Sequence, residues 1–341
     1  MKRLSVLSSI IASALAAALL TASPLHAQDA NWTLGDVDAP SHWGPTAGNK
    51  FSEAVAEATD GKLKITVYPA ESLFKGKDSL DAVSEGLTQM YRVAGVHVAG
   101  EEQILELLDL PLFLPADYDL RNKVWDALTP MYRDLLSERY GVYLAGILQA
   151  EPRMIYTKEP IENLADLAGR KLRSAGPVET QFTTAIGIVP VAVAPSEIYT
   201  ALQQGLIDGN WVADAPHFFN KGFEVTKYIY DIGSGGAGFF LLVNENELNA
   251  LSEENRAALM EALPGFVADL REGSRNGAVN GRQWLIDEGM TVVEVSDEDR
   301  ATMQEAAATI VEEWRSRLDS ESLKIYEKAK ALVDEYHAAM K

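Results

Sequence analysis

Residues 164–216, LADLAGRKLRSAGPVETQFTTAIGIVPVAVAPSEIYTALQQGLIDGNWVADAP, decide the fold class. GRKLR is a short strand pattern that follows a glycine break and ends on Arg173. Residues 179–186 carry helical spacing, residues 188–192 form an apolar, β-branched run, and Pro195-Ser196 opens a second helix that stops at Gly205. Strand, helix, strand, helix in that order is an α/β unit. In open sheets of this class ligands sit beyond the carboxyl ends of the strands, which is where this order places Arg173.

Upstream, residues 31–35 read as a first strand, followed by a loop that holds Asp36 and Asp38. A helix over 45–59 places Phe51, Val55 and Ala58 on one face, and residues 62–68 alternate as a half-buried strand does before Pro69 closes it. The same logic predicts a helix over 77–86, a strand over 87–93 leading to Arg92 and His97, a helix over 121–139 and a strand over 143–148. The Leu-rich, Pro-broken residues 105–113 read as a loop that covers a core. The turn Glu151-Pro152-Arg153 starts a further strand, so two arginines, Arg153 and Arg173, lie at strand ends about twenty residues apart.

Downstream, residues 223–232 read as helix then strand, and residues 233–238 match GxGxxG. A dinucleotide fingerprint needs a helix directly after the glycines, whereas the apolar run 239–243 is a strand, so the match is a chance hit or a crossover between domains. A long helix with an acidic first turn runs from 251 to about 288, then a strand over 291–295 and helices over 297–318 and 320–340. Without a repeat or a long linker, the chain is expected to cross between its domains more than once.

With 341 residues, 47% of them hydrophobic, the chain can build two cored domains. A formal charge of −20 repels phosphate backbones and anionic lipid, which argues against nucleic-acid binding. The absence of cysteine removes disulfides, thiolate catalysis and cysteine zinc sites. The five histidines show no metal-ligand spacing, so neither a metal nor a cofactor is expected. Lys2 and Arg3 precede an apolar run that ends in small residues near Ala27, the pattern of a secretory signal peptide over 1–27. No later run is apolar for long enough to span a membrane.

Two longer motifs carry a family resemblance. Asp166-Leu167-Ala168-Gly169-Arg170-Lys171-Leu172-Arg173 is similar to "DLKGLKIR", and residues 197–209, EIYTALQQGLIDG, to "EVYTALQQGVVDG". Asp109-Leu110-Pro111-Leu112-Phe113 and Lys158-Glu159-Pro160-Ile161 add support. The whole chain after residue 27 resembles the extracytoplasmic solute-binding proteins of tripartite ATP-independent periplasmic (TRAP) transporters, the DctP-type family. The resemblance implies an α/β, two-lobed periplasmic binding protein fold, each lobe a mixed sheet flanked by helices, with the ligand cleft between lobes. Lobe I is expected over 28–150 plus 239–278, and lobe II over 151–238 plus 279–341 with the C-terminal helices. The implied role is capture of a small organic anion, such as a carboxylate, a zwitterion or a sulfonate, in the periplasm by a monomer that docks on small and large TRAP membrane subunits.

On this resemblance Arg173 holds the ligand carboxylate, a task that a guanidinium's planar fork of donors suits. Arg153 adds a second contact or braces the first, with a salt bridge as the other explanation. After Asp208-Gly209 the chain departs from the family's Gln-Glu-Asn-Pro, and Asn210 and Trp211 stand there instead, Trp211 as an aromatic wall or as core. Asp38 or Asp36 could meet a cationic group of a zwitterion, with His42, Trp43 and Tyr91 in the pocket wall, or could pair with Arg92. Two other classes stay open: a secreted α/β hydrolase with a scattered carboxylate site, and the binding protein of an ABC importer.

Overall fold

In the computed structural model, residues 30–115, 117–149, 151–234 and 236–339 are described; the expected signal peptide lies outside them. The chain opens with β1 (Ala30–Asp36), α1 (Trp43–Ala58) and β2 (Leu63–Tyr68). β1 pairs parallel with β2, as a strand, crossover helix, strand unit must. Gly61, at φ 75°, turns the chain out of α1. A 3-10 turn and α2 (Ser79–Ser84) lead to β3 (Met90–Ala94), α3 (Gly95–Val98) follows directly, and residues 103–109 wind into a 3-10 helix where the sequence suggested a loop. α4 (Tyr118–Tyr140) is capped by the Asp117 carboxylate at one end and by left-handed Gly141 at the other. β4 (Val142–Gln149) completes this half.

The first sheet has the order β2-β1-β3-β10-β4, where β10 is Gly238–Asn244. β10 pairs antiparallel with β3 and β4 and is buried along its whole length, which its unbroken GFFLLVN run requires of a central strand. The second sheet has the order β11-β9-β5-β8-β6-β7. Its strands are β5 (Arg153–Thr157), β6 (Lys171–Ser174), β7 (Val189–Ala192), β8 (Gly209–Ala213), β9 (Tyr228–Ser234) and β11 (Thr291–Glu294). α5 (Pro177–Ala185), α6 (Ile198–Gln203) and α7 (Asp214–Phe219) connect them. Both sheets are mixed, and each carries helices, giving the two-lobed architecture. The crossing from β9 to β10 runs through the glycine-rich segment, and a strand follows it, as the argument against a dinucleotide site required.

After the short α8 (Glu245–Ala250), α9 (Glu253–Asp287) is one unbroken helix of 35 residues. It packs on α1 and β4 of the first lobe and on α7 of the second. Three glycines four residues apart make that contact close. A Cβ on Gly273 would lie 2.8 Å from the Trp43 side chain, one on Gly277 would lie 2.2 Å from a Glu151 carboxylate oxygen, and one on Gly281 would lie 2.9 Å from the Asp214 side chain. The division expected at residue 278 therefore falls inside a helix that both lobes share. α10 (Asp297–Arg315) packs on α5 of the second lobe, whereas α11 (Ser320–Ala339), expected with the second lobe, lies against α4 of the first.

Candidate functional site

β6 and β8 run parallel, with Arg173 directly beside Asn210 in register, and β5 runs antiparallel on the far side of β8 with Arg153 opposite Ala213. The carboxyl ends of β6 and β8 and the amino end of β5 thus meet at one edge facing the first lobe. A cavity lies there, lined by Arg173, Arg153, Asp38, His97 and Asn220, with Val37, Val96, Pro195, Ile198, Val212, Pro216 and Phe239 among its apolar walls. It opens past Arg173 and His97 into a polar mouth that includes Glu71, Lys75 and Glu197.

Arg173 is only 3% exposed. Its Nε donates to the Val193 carbonyl at 3.1 Å, and Nη2 lies 3.5 Å from His97 Nε2. Among the described residues no carboxylate stands within ion-pair distance of it. Burial first, and the neighbouring Arg153 second, push its pKa down to about 9. The same burial and the two arginines push His97 down to about 3, so its imidazole is neutral. The cavity therefore holds a buried cation with no direct ion-pair partner among the described residues, on which Glu71 acts only from a distance.

Arg153 is differently placed. It contacts Glu179 in a tight ion pair, lies 3.5 Å from Asp109, and stacks over the Trp211 ring with its guanidinium carbon 5.0 Å from the centroid. Glu179 is itself held by the Ala175 amide at 2.7 Å. Burial raises the Asp109 carboxyl to about 7 against the pull of Arg153. Arg153 is thus ion-paired and also lines the cavity.

The first-strand loop does not leave an acid for a ligand. Arg92 is fully buried and takes Asp36 with two bonds, Nε to Oδ2 and Nη2 to Oδ1, both at 2.7 Å, and its Nη2 also reaches Asp38. Asp38 further contacts His42 Nδ1 at 3.1 Å. Burial alone would raise the Asp38 carboxyl, but His42 and Arg92 outweigh it and hold it below the usual range. The Arg92 guanidinium lies over Trp43 at 5.0 Å and Phe239 at 4.5 Å, directly behind the cavity wall. Asp38 lines the cavity, but its charge is already engaged, which corrects its assignment to a ligand cation.

Four further residues expected in the wall are not there. Tyr91 is core: its hydroxyl donates to the Phe74 carbonyl at 2.6 Å and its ring fills the space over Gly35. His42 stands at the N-terminus of α1 with its Nδ1 turned to Asp38, and it does not line the cavity. Trp43 donates through Nε1 to Glu151 Oε1 at 2.9 Å and packs on Gly273. Trp211 sits beneath Arg153 against Phe182, with ring centroids 5.3 Å apart. Asn210 lines a small recess behind the cavity that shares Ile198, Val212, Pro216 and Asn220 with it. His97, Asn220 and Phe239, none of them assigned a ligand role from the sequence, do line the cavity.

Across the mouth the lobes are latched. Glu71 Oε2 accepts from the Ser196 hydroxyl at 2.6 Å and its amide at 3.2 Å. Lys75 donates to Ser196 Oγ at 2.9 Å and Glu197 Oε1 at 3.0 Å. The structure is thus the closed arrangement. Among the described residues no cluster of three or more histidines and acids could hold a metal, and no helix is long and apolar enough to cross a membrane.

Residues 34–317 match the family model described as bacterial extracellular solute-binding protein, family 7. A solute-binding protein of Roseobacter denitrificans is 27% identical over 309 residues, 89% of this chain and 94% of that protein. The C4-dicarboxylate-binding periplasmic protein DctP of Rhodobacter capsulatus is 27% identical over 281 residues, 80% of this chain and 83% of that protein. Among solved structures, a TRAP periplasmic solute-binding protein from Roseobacter denitrificans with bound L-galactonate superposes with a TM-score of 0.78 at 26% identity, covering 89% of this chain and 99% of that one. The Bordetella pertussis receptor DctP7, which binds pyroglutamic acid, superposes at 0.83 over 88% of this chain and 99% of its own; at 23% identity this likeness concerns the fold.

Proposed function

Because this chain belongs to the bacterial extracellular solute-binding proteins of family 7, we propose that it captures one small organic carboxylate between its lobes and delivers it to the membrane subunits of a TRAP transporter. The observation that carries this reading is Arg173, a buried guanidinium on the cavity wall with no carboxylate partner among the described residues. A ligand carboxylate would supply the missing counter-charge and accept the fork of donors that now rests on Val193 and His97. The relatives that bind a C4-dicarboxylate and L-galactonate support an organic anion as the ligand class.

The apolar walls favour a compact body over a polyhydroxylated one, since each buried hydroxyl would need a partner. The reading is capture without turnover: Asp36 and Asp38, the pair a hydrolase could have used, are tied to Arg92. In this reading the protein works as a periplasmic monomer after cleavage near Ala27. In it one lobe is built on the first sheet with α11, the other on the second sheet with α10, and α9 is shared between them.

Arg173→Ala tests the assignment. Removing the buried partner of a ligand carboxylate costs about 3 kcal/mol or more, roughly a hundredfold in affinity. Calorimetric titration of the folded variant with an acid that the parent protein binds is expected to show that loss. Retained affinity would refute the central role of Arg173.

A further inference from the structure

The recess behind the cavity holds a second unmet polar group. Asn210 is 1% exposed, and in the parallel register of β6 and β8 it stands beside Arg173, so both side chains leave the same face of the sheet. Its partner on that face is His217. Burial pushes His217 down to about 3, so the ring is neutral and carries one proton. The Tyr156 ring stacks on it with centroids 3.7 Å apart and holds it in place.

The Thr226 hydroxyl donates to the Gly222 carbonyl at 2.9 Å and lies 2.8 Å from His217 Nε2. Having spent its only hydrogen, Thr226 accepts from Nε2–H, which leaves Nδ1 as an acceptor. Asn210 Nδ2 approaches Nδ1 at 3.5 Å as the donor. With the proton on Nε2, the amide presents Nδ2 to the ring and turns Oδ1 away from it. Oδ1 is buried and has no hydrogen-bond partner. A buried acceptor left in that state costs free energy that a donor would recover.

We infer that Asn210 is a specificity-determining residue: its Oδ1 accepts a hydrogen bond from an N–H or O–H of the ligand whose carboxylate Arg173 holds. This rests on the carboxylate reading above and narrows it. The substrate class is a compact acid with one hydrogen-bond donor seated deeper than its carboxylate. Asn210 lines the recess and Arg173 the cavity in front of it, so the donor enters the recess while the carboxylate stays in the cavity. The recess measures about 10 Å³, the space of a single water, so it admits a polar group of the ligand and not a bulky substituent. A site built to hydrogen-bond a substrate group rejects the analogue that lacks it far more strongly than an apolar pocket rejects an extra methylene.

Matched pairs of acids test this on the full chain after residue 27. The pairs are pyroglutamate with its ring lactone analogue, lactate with pyruvate, and mandelate with benzoylformate; each first member has the donor and each second lacks it. Affinities are measured by calorimetry for the parent protein, Asn210→Leu and Arg173→Ala. The expected result is a preference of tenfold or more for the donor-bearing member of any pair that binds. Asn210→Leu is expected to abolish that preference while retaining Arg173-dependent binding of the donor-free member.

Equal affinity within the pairs, or a preference that survives in Asn210→Leu, would overturn the inference, with a bound water then satisfying Oδ1. Binding of donor-free acids alone would overturn it as well. If no carboxylate binds in a manner sensitive to Arg173→Ala, the carboxylate reading itself fails. Should Asn210→Leu not fold, Asn210→Ala makes the same comparison.

Discussion

Arg173 ties the chemistry of this protein to pH. Its folded pKa, about 9, lies below the ordinary arginine value because burial and Arg153 disfavour the charged form. A bound carboxylate favours that form, so affinity is expected to stay flat to about pH 8 and to fall as pH rises past about 9. The free protein behaves in the opposite sense. Over the interval from its folded to its unfolded pKa, the unfolded chain keeps a proton that the folded chain has lost, so Arg173 adds stability as pH rises. The stabilisation given by a bound acid, read as a shift in melting temperature, should therefore shrink between pH 8 and 10; a constant shift would contradict it. Arg173 is legible in the sequence because a strand end and a long motif mark it. His97, Asn220 and Phe239 are not, since they reach the cavity from separate segments that only the packing of the two lobes brings together. Tyr91 and Arg92 mislead for a different reason: every residue of β3 is buried, so alternation does not reveal which face meets the ligand.

Among the elements, α9 is the one whose sequence runs against local propensity. Each glycine inside a helix costs about 1 kcal/mol relative to alanine, yet Gly273, Gly277 and Gly281 repeat where the helix meets both lobes. Gly277→Ala gains that propensity but puts a methyl 2.2 Å from the carboxylate that Trp43 bonds. The expected net effect is a loss of about 1 to 2 kcal/mol in denaturant unfolding. Gly265→Ala is the contrasting case in the same helix: nothing lies within 4 Å of its added Cβ, and a gain of up to about 1 kcal/mol is expected. A gain at both positions would mean that the close approach of α9 is unimportant. Most elements could be read in advance because periodicity and caps agree, as in α1, α4 and β10. The helix α7 could not: it has six residues, contains Pro216, and follows a strand whose partners are distant in sequence.

At the scale of the whole molecule, affinity depends on closure as well as on the cavity. Glu71, Lys75, Ser196 and Glu197 join the lobes at the mouth through side chains that touch neither Arg153 nor Asn210. Ser196→Ala removes the hydroxyl that both Glu71 and Lys75 use. Losing a bond made only in the closed form, worth about 1 kcal/mol, shifts the population toward the open one. Ligand affinity should fall about fivefold, mostly as faster release in stopped-flow dissociation, with unfolding stability of the free protein little changed. An unaltered release rate would show that the latch does not hold the lobes.

The long helix also acts as a lever. At 1.5 Å per residue, α9 is roughly 52 Å long, and its glycine stripe divides it into an N-terminal arm of about 30 Å and a C-terminal arm of about 9 Å. A bend of about 10° at the stripe would move the tip of the long arm by roughly 5 Å and that of the short arm by roughly 2 Å. The lever is therefore unequal: its long arm lies along α1 and β4 of the first lobe and its short arm beside α7 of the second.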